Sequence, residues 1–280
     1  MQIFKSLILS GVAALLALPI QAQTIMPQTA SMDNLKSVHP WYGARVAYFG
    51  DSVTDPRNSG SKEKYWGYLQ DFLDITPLVY GVSGRTWGDI PRQARQLQAD
   101  HGNDFDAILI FVGTNDYNQG AKLGQWYEEG DTMVYYARGK QKALVERKFR
   151  RMSYDASTYR GRINTALKTL KEMFTDKQIV LLTPLHRAYF EGNDTNVQPD
   201  ERMQNVSGEY IDPYIESVKE AGNIWGVPVI DFNAVSGLYP LINGTTYFHN
   251  EKDLLHPNDV GHKRMAMTLV YQLMQLPCKL

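Results

Sequence analysis

DAILIFVG, residues 106–113, decides how the chain is read. Six apolar side chains, Ala107 to Val112, run without a break between Asp106 and Gly113. A strand with one wet face alternates apolar and polar residues; an unbroken run of this length is the mark of a strand buried on both faces. Similar runs occur at ARVAYFG (44–50), PLVYGVS (77–83), QIVLLTPL (178–185) and VPVIDF (227–232). Between and after them lie segments of helical spacing: EKYWGYLQDFLD (63–74), WGDIPRQARQLQAD (87–100), TYRGRINTALKTLKEMF (158–174), GEYIDPYIESVKEAGNIW (208–225) and PNDVGHKRMAMTLVYQLMQL (257–276). Pro91 is tolerable in the first turn of its helix, and Asn258 or Asp259 can cap the last one. Strand and helix alternating in this way imply a five-stranded parallel sheet with helices on both faces.

The 280 residues suit one large α/β domain, and 43% hydrophobic with 21% charged residues is a globular composition. A formal net charge of −1 supplies no field for nucleic acid or an anionic membrane, so no nucleic-acid partner is expected. Residues 1–22 stand apart: MQIFK gives a positive start, LILSGVAALLALPI an apolar stretch, and Ala22 a plausible cleavage point. This reads as a signal peptide, leaving residues 23–280 as a single domain with no stable membrane insertion after cleavage. The expected location is periplasmic or secreted, at a bacterial envelope. Cys278 is the only cysteine, so no intramolecular disulfide forms, and its place near the C-terminus suggests an inert thiol. Residues 117–157 interrupt the alternation with a stretch rich in Tyr, Trp, Arg and Glu, within which QKALVERKFRRM (141–152) is readable as a short helix.

In an open parallel sheet, ligands bind beyond the carboxyl ends of the strands. Gly50-Asp51-Ser52 follows the first strand, Gly81-Val82-Ser83-Gly84 the second, Gly113-Thr114-Asn115-Asp116 the third and Thr183-Pro184-Leu185-His186-Arg187 the fourth, while Asp253-Leu254-Leu255-His256-Pro257 precedes the last helix. These types meet the needs of acyl transfer. A serine hydroxyl becomes a nucleophile when an imidazole takes its proton, and the imidazole needs a carboxylate on its other nitrogen. Asp253 stands three residues from His256, close enough to serve within one turn. The oxyanion needs fixed N–H donors, for which the Ser52 and Gly84 backbones and the Asn115 amide are candidates. Asp51 is expected to serve the turn by accepting backbone N–H groups. His39, His101, His186, His249 and His262 show no metal-ligand spacing such as HExxH, so no metal and no cofactor are expected. His186 and Arg187 are placed to line the cleft. The absence of GxGxxG after the first strand and of GxxxxGK[ST] anywhere weighs against a nucleotide binder.

GDSVTD (50–55), GVSGRTW (81–87), GTND (113–116) and DLLHP (253–257), in that order, resemble the four sequence blocks of the SGNH hydrolases, also called GDSL esterases/lipases. The resemblance spans about residues 44–275. It implies a flavodoxin-like three-layer α/β/α sandwich, with Ser52 as nucleophile, His256 as base, Asp253 as its partner, and Gly84 and Asn115 as oxyanion donors beside the Ser52 N–H. Two departures are visible: GDSV in place of GDSL, and Tyr80 where many members carry asparagine. The expected activity is that of a carboxylic ester hydrolase. A polar, aromatic site region and export favour removal of acetyl or other short acyl groups from a carbohydrate. Lipid-type esters or thioesters are the alternative, and an inactive carbohydrate-binding relative is a third reading. Within 117–157, Trp126 is the expected stacking platform for a small-molecule or glycan ester. The sequence assigns no oligomeric state.

Overall fold

The computed structural model describes residues 36–279. The leader expected at 1–22 lies outside the described residues. Among the described residues, no helix is long and apolar enough to cross a membrane.

Strands β1 (Arg45–Gly50), β2 (Thr76–Val79), β3 (Ala107–Phe111), β6 (Gln178–Leu182) and β9 (Val229–Ile230) form a five-stranded parallel sheet in the order β2-β1-β3-β6-β9. Alternate residues feed opposite faces, which explains the unbroken apolar runs. Ala47, Phe49, Ile108, Ile110 and Leu181 face one helical layer: α2 (Ile90–His101), α4 (Tyr159–Met173) and α5 (Asp212–Trp225). Val46, Tyr48, Leu109, Phe111 and Leu182 face the other, built on α1 (Tyr65–Leu73) and α8 (Asp259–Leu273); the short helices α6 (Phe232–Val235) and α7 (Pro240–Tyr247) precede α8 in the chain. The architecture is therefore the flavodoxin-like α/β/α sandwich with a five-stranded parallel sheet.

Local chemistry sets the helix starts. Thr158 accepts from the Gly161 N–H and opens α4; Asn258 accepts from the Gly261 N–H and opens α8. The lead-in to β1 packs on the last helix and its tail. His39 Nε2 lies 2.8 Å from the Val270 carbonyl, and the Trp41 indole donates to the Leu276 carbonyl at 2.9 Å. Cys278 is buried in the same layer, and burial pushes its thiol up to about 12. A thiol held protonated in this way is unreactive.

Two features depart from expectation. Residues 141–152 are not a helix. Strand β4 (Tyr127–Tyr136) pairs with β5 (Ala143–Met152) in an unbroken antiparallel ribbon, from Tyr127 opposite Met152 to Tyr136 opposite Ala143. The charges that looked helical find their partners across strands: Arg151 binds Glu128 at 2.8 Å and Lys148 binds Asp131 at 3.1 Å. A second small sheet, also unforeseen, joins β7 (Phe190–Asn193), β8 (Asn196–Gln198), β10 (Phe248–Asn250) and β11 (Asp253–Pro257) in the order β10-β11-β7-β8.

Candidate active site

Ser52 stands on the turn that follows β1. The Asp51 carboxylate accepts the Val53 N–H at 3.1 Å and the Asp51 carbonyl accepts from Thr54 and Asp55, so the chain reverses tightly around the serine. Asp51 thus does the turn work expected of it. Its burial, reinforced by the charge of Asp116, raises its carboxyl to about 7 despite the Val53 bond.

His256 arrives from β11, 204 residues away in sequence, with Nε2 at 2.8 Å from the Ser52 hydroxyl. Both side chains are largely buried, and the Phe190 ring meets the His256 ring edge-on at 5.2 Å. Asp253 approaches His256 Nδ1 with both oxygens, at 3.0 and 2.9 Å. Its Oδ1 also accepts the backbone N–H of His256 at 3.0 Å and of Leu255 at 3.2 Å. Burial works against the charged form of Asp253, but hydrogen bonds from His249 and His256 hold the carboxyl well below the usual range. An ionised carboxylate accepts only, so His256 carries its proton on Nδ1 and presents a bare Nε2 to the serine.

Asn115 enters at the start of the short helix α3 (Thr114–Asn118). Its amide donates to the Arg85 carbonyl at 3.0 Å, which fixes the side chain beside the Gly84 turn. Gly84 has φ +78°, a conformation in which a side chain is strained.

Two carboxylates at the ends of the quoted blocks brace these loops together. Asp55 accepts from the Ser83 N–H at 2.8 Å and the Ser83 hydroxyl at 3.0 Å, tying the first loop to the second. Burial would raise this carboxyl, but bonds from Arg57 and Ser83 hold it at about 2. Asp116 accepts the Trp87 N–H at 3.0 Å and the Arg162 guanidinium at 2.8 Å, tying the third loop to the second and to α4. Its burial outweighs these partners and raises the carboxyl to about 6.

The structure separates the remaining candidates. Trp126 is not a platform at the site. It is only 9% exposed, packs in the core beneath α4 and α5, and donates its indole N–H to Glu220 at 2.6 Å. Arg187 offers no free guanidinium. It is 1% exposed and is spent on Thr114 Oγ1 at 3.0 Å and Gln198 at 2.6 Å, with the Tyr117 ring 5.4 Å away. Burial lowers its guanidinium to about 10. Its role is structural, seating α3 and hence Asn115. His186 is half-buried, pairs with Glu201 at 2.8 Å and meets Tyr239 edge-on at 4.7 Å. His186 and Arg187, with Asp51, Val53, Thr114 and Leu255, are among the residues lining a cavity of about 20 Å³, which Ser52, Asn115 and His256 themselves do not line.

His249, one of the histidines without a metal-ligand spacing, joins the site. Its Nδ1 lies 2.9 Å from Asp253 Oδ2, so the carboxylate is shared by two imidazoles. Ligand-type atoms of His249, Asp253 and His256 fall within 4.8 Å of one another, a grouping that linear metal motifs do not reveal. These atoms are hydrogen-bonded to each other.

The GDSL-like Lipase/Acylhydrolase family model matches residues 48–264. No curated protein sequence matches the chain. Among solved structures, a Lactobacillus plantarum protein superposes with a TM-score of 0.60 at 23% identity, covering 82% of this chain and 96% of that one. A Chitinophaga pinensis protein described as a possible lipase gives 0.58 at 19% identity, covering 83% and 98%. These two likenesses bear on the fold.

Proposed function

Because the chain belongs to the GDSL-like lipase/acylhydrolase family, and is thereby a serine-type carboxylic ester hydrolase, we propose that Ser52, His256 and Asp253 are its catalytic triad and that it removes short acyl groups, foremost acetyl, from a carbohydrate. The observation that carries the triad is the chain of contacts from Asp253 through His256 to the Ser52 hydroxyl, the last of 2.8 Å.

In the first half-reaction, Ser52 Oγ bonds to the acyl carbon as His256 Nε2 takes the hydroxyl proton. The carbonyl oxygen becomes an oxyanion, stabilised by the Ser52 and Gly84 backbone N–H groups and the Asn115 amide. When the C–O bond to the leaving alcohol breaks, His256 returns the proton to that alcohol. Water then attacks the acyl-enzyme by the same route, with His256 as base, and releases the acid. Asp253 stabilises the imidazolium in both halves.

The loops that follow the strands carry polar and aromatic residues and no long aliphatic stretch, which supports a small acyl group. Tyr239, partly exposed and edge-on to His186, would offer a face to a sugar leaving group, since aromatic faces stack on sugar rings. Residues 1–22 would export the enzyme to glycans at or beyond the cell envelope.

The test is an acyl-length series on one aryl alcohol, together with acetylated xylan and pectin oligosaccharides. Specificity, as kcat/KM, should be highest for acetyl and fall with each added methylene. A rise towards octanoyl would replace this reading with a lipid esterase. Ser52→Ala should abolish hydrolysis of every ester in the series.

A further inference from the structure

We propose that His249 is a positioning residue for catalysis, acting through Asp253 and held in place by Gly60. The inference rests on the triad reading above and deepens it.

The two oxygens of Asp253 are secured differently. Oδ1 is held by two backbone N–H groups, those of Leu255 and His256, as well as by the His256 ring. Oδ2 meets only side chains: His256 Nδ1 and His249 Nδ1, each at 2.9 Å. Without His249, Oδ2 is left with His256 alone, and the carboxylate can swing about its backbone-anchored oxygen. With His249 in place, both oxygens stay directed at the catalytic imidazole. A base whose partner is fixed in this way needs no reorganisation when it becomes an imidazolium.

The state of His249 follows from its surroundings. A carboxylate only accepts, so the proton lies on His249 Nδ1. Nε2 is buried and has no hydrogen-bond partner among the described residues. The ring lies nearly parallel to that of His256, with centroids 5.8 Å apart and an interplanar angle of 23°.

Gly60 closes the other side. A Cβ built on Gly60 would fall 1.8 Å from His249 Cε1 and 2.3 Å from Nδ1. No side chain fits there unless the imidazole moves off Asp253. The backbone of the loop that follows Ser52 therefore acts as a wall behind His249, although neither Gly60 nor His249 reaches the reacting atoms.

The experiment compares His249→Phe, His249→Asn and Gly60→Ala in steady-state kinetics on an aryl acetate. His249→Phe keeps an aromatic body but removes the donor; kcat should fall about tenfold with KM within about twofold, the scale of one hydrogen bond to a charged group. His249→Asn places an amide N–H near the lost Nδ1 and should restore most of kcat. Gly60→Ala leaves every polar group intact and should reproduce the His249→Phe loss. In an Asp253→Ala background, His249→Phe should cost nothing further, because the residue acts through that carboxylate. An undiminished kcat in His249→Phe, an equal loss in the Asp253→Ala background, or a loss confined to KM would overturn the proposal. If His249→Phe and Gly60→Ala fail to fold, the proton spectrum of His249→Asn decides. One of two low-field imidazole N–H signals should vanish and the remaining His256 signal should shift; an unmoved His256 signal would refute the coupling. Full activity in Ser52→Ala would instead overturn the triad reading itself.

Discussion

Two of the hairpins that stand off the main sheet could hardly be used more differently. The β4–β5 ribbon is the longer, with ten residue pairs, many charges, and Met133, Tyr135, Tyr136, Leu144 and Phe149 all exposed. The β10–β11 hairpin is short, yet it carries His249, Asp253 and His256, each bonded to another polar group in a largely buried setting. The ribbon's ion pairs sit in water, where such pairs contribute about 0–1 kcal/mol. The short hairpin's charge-assisted bonds are shielded from water, where geometry and protonation are fixed tightly. Richness in charged and aromatic residues is thus a poor guide to chemistry. Convergence under burial is the better one.

The largest effect should come from the buried side. Ser52→Ala or His256→Ala should lower kcat by about 10⁴–10⁶-fold with a native circular dichroism spectrum, and the double variant should lose little more, since the pair acts as a unit. Losses that multiplied in full would break the picture of one connected site. Next comes Asn115→Ala, for which kcat should drop by about 10²–10³ with KM nearly constant. A pure KM effect would make Asn115 a binding group.

Trp126 sharpens the boundary between the two regions. It lies at the root of the ribbon but belongs to the core, so Trp126→Ala should cost about 3–5 kcal/mol of stability. Activity per folded molecule should fall equally little on an acetylated oligosaccharide and on an aryl acetate. A selective loss on the oligosaccharide would return this residue to the substrate.

A smaller effect concerns Asp51 and Asp116, whose carboxyls lie at about 7 and about 6. Both are raised above the ordinary carboxylate value of about 4, so the folded state holds their protons more tightly than the unfolded chain does. Their contribution to stability is full below pH ~4 and is lost as pH rises through 6 and 7. Asp51→Asn, which keeps an acceptor for the Val53 N–H, should flatten the decline in melting temperature between pH 5 and pH 8. An unchanged slope would show that Asp51 titrates no differently on folding. The smallest effect is expected on the ribbon: Tyr135→Ser and Tyr136→Ser should change stability by less than about 0.5 kcal/mol and leave aryl acetate hydrolysis unaltered.

What the sequence revealed, and what it hid, follows the same division. Strands buried on both faces must be apolar throughout, so β1, β3 and β6 were legible from composition alone, and a parallel sheet necessarily gathers the residues after them at one edge. That logic brought Ser52, Gly84 and Asn115 into one reading. The register of a hairpin has no such signature. Asp253 and His256 were readable because they lie three residues apart and belong to a familiar block, whereas His249 meets Asp253 only because β10 turns back along β11. The strand at 143–152 was obscured because its charges suit a helix surface as well as a wet ribbon. Trp126 and Arg187 looked exposed because polar neighbours surround them in sequence. Their burial depends on α4, α5 and α3, which no local window contains.

The 204 residues that separate Ser52 from His256 carry a consequence for biogenesis. On the proposed triad, the nucleophile leaves the ribosome just after the first strand, and its base follows only with the hairpin before the last helix. On that triad, a nascent or truncated chain that stops short of residue 256 has a serine with no imidazole to take its proton, and it should be silent towards esters. Closing so long a loop is among the slower events of folding. Hydrolysis of a chromogenic ester is therefore a stopwatch for the final docking of the chain: its lag on refolding, set against the earlier recovery of helical circular dichroism, times the arrival of the C-terminal hairpin at the end of the first strand.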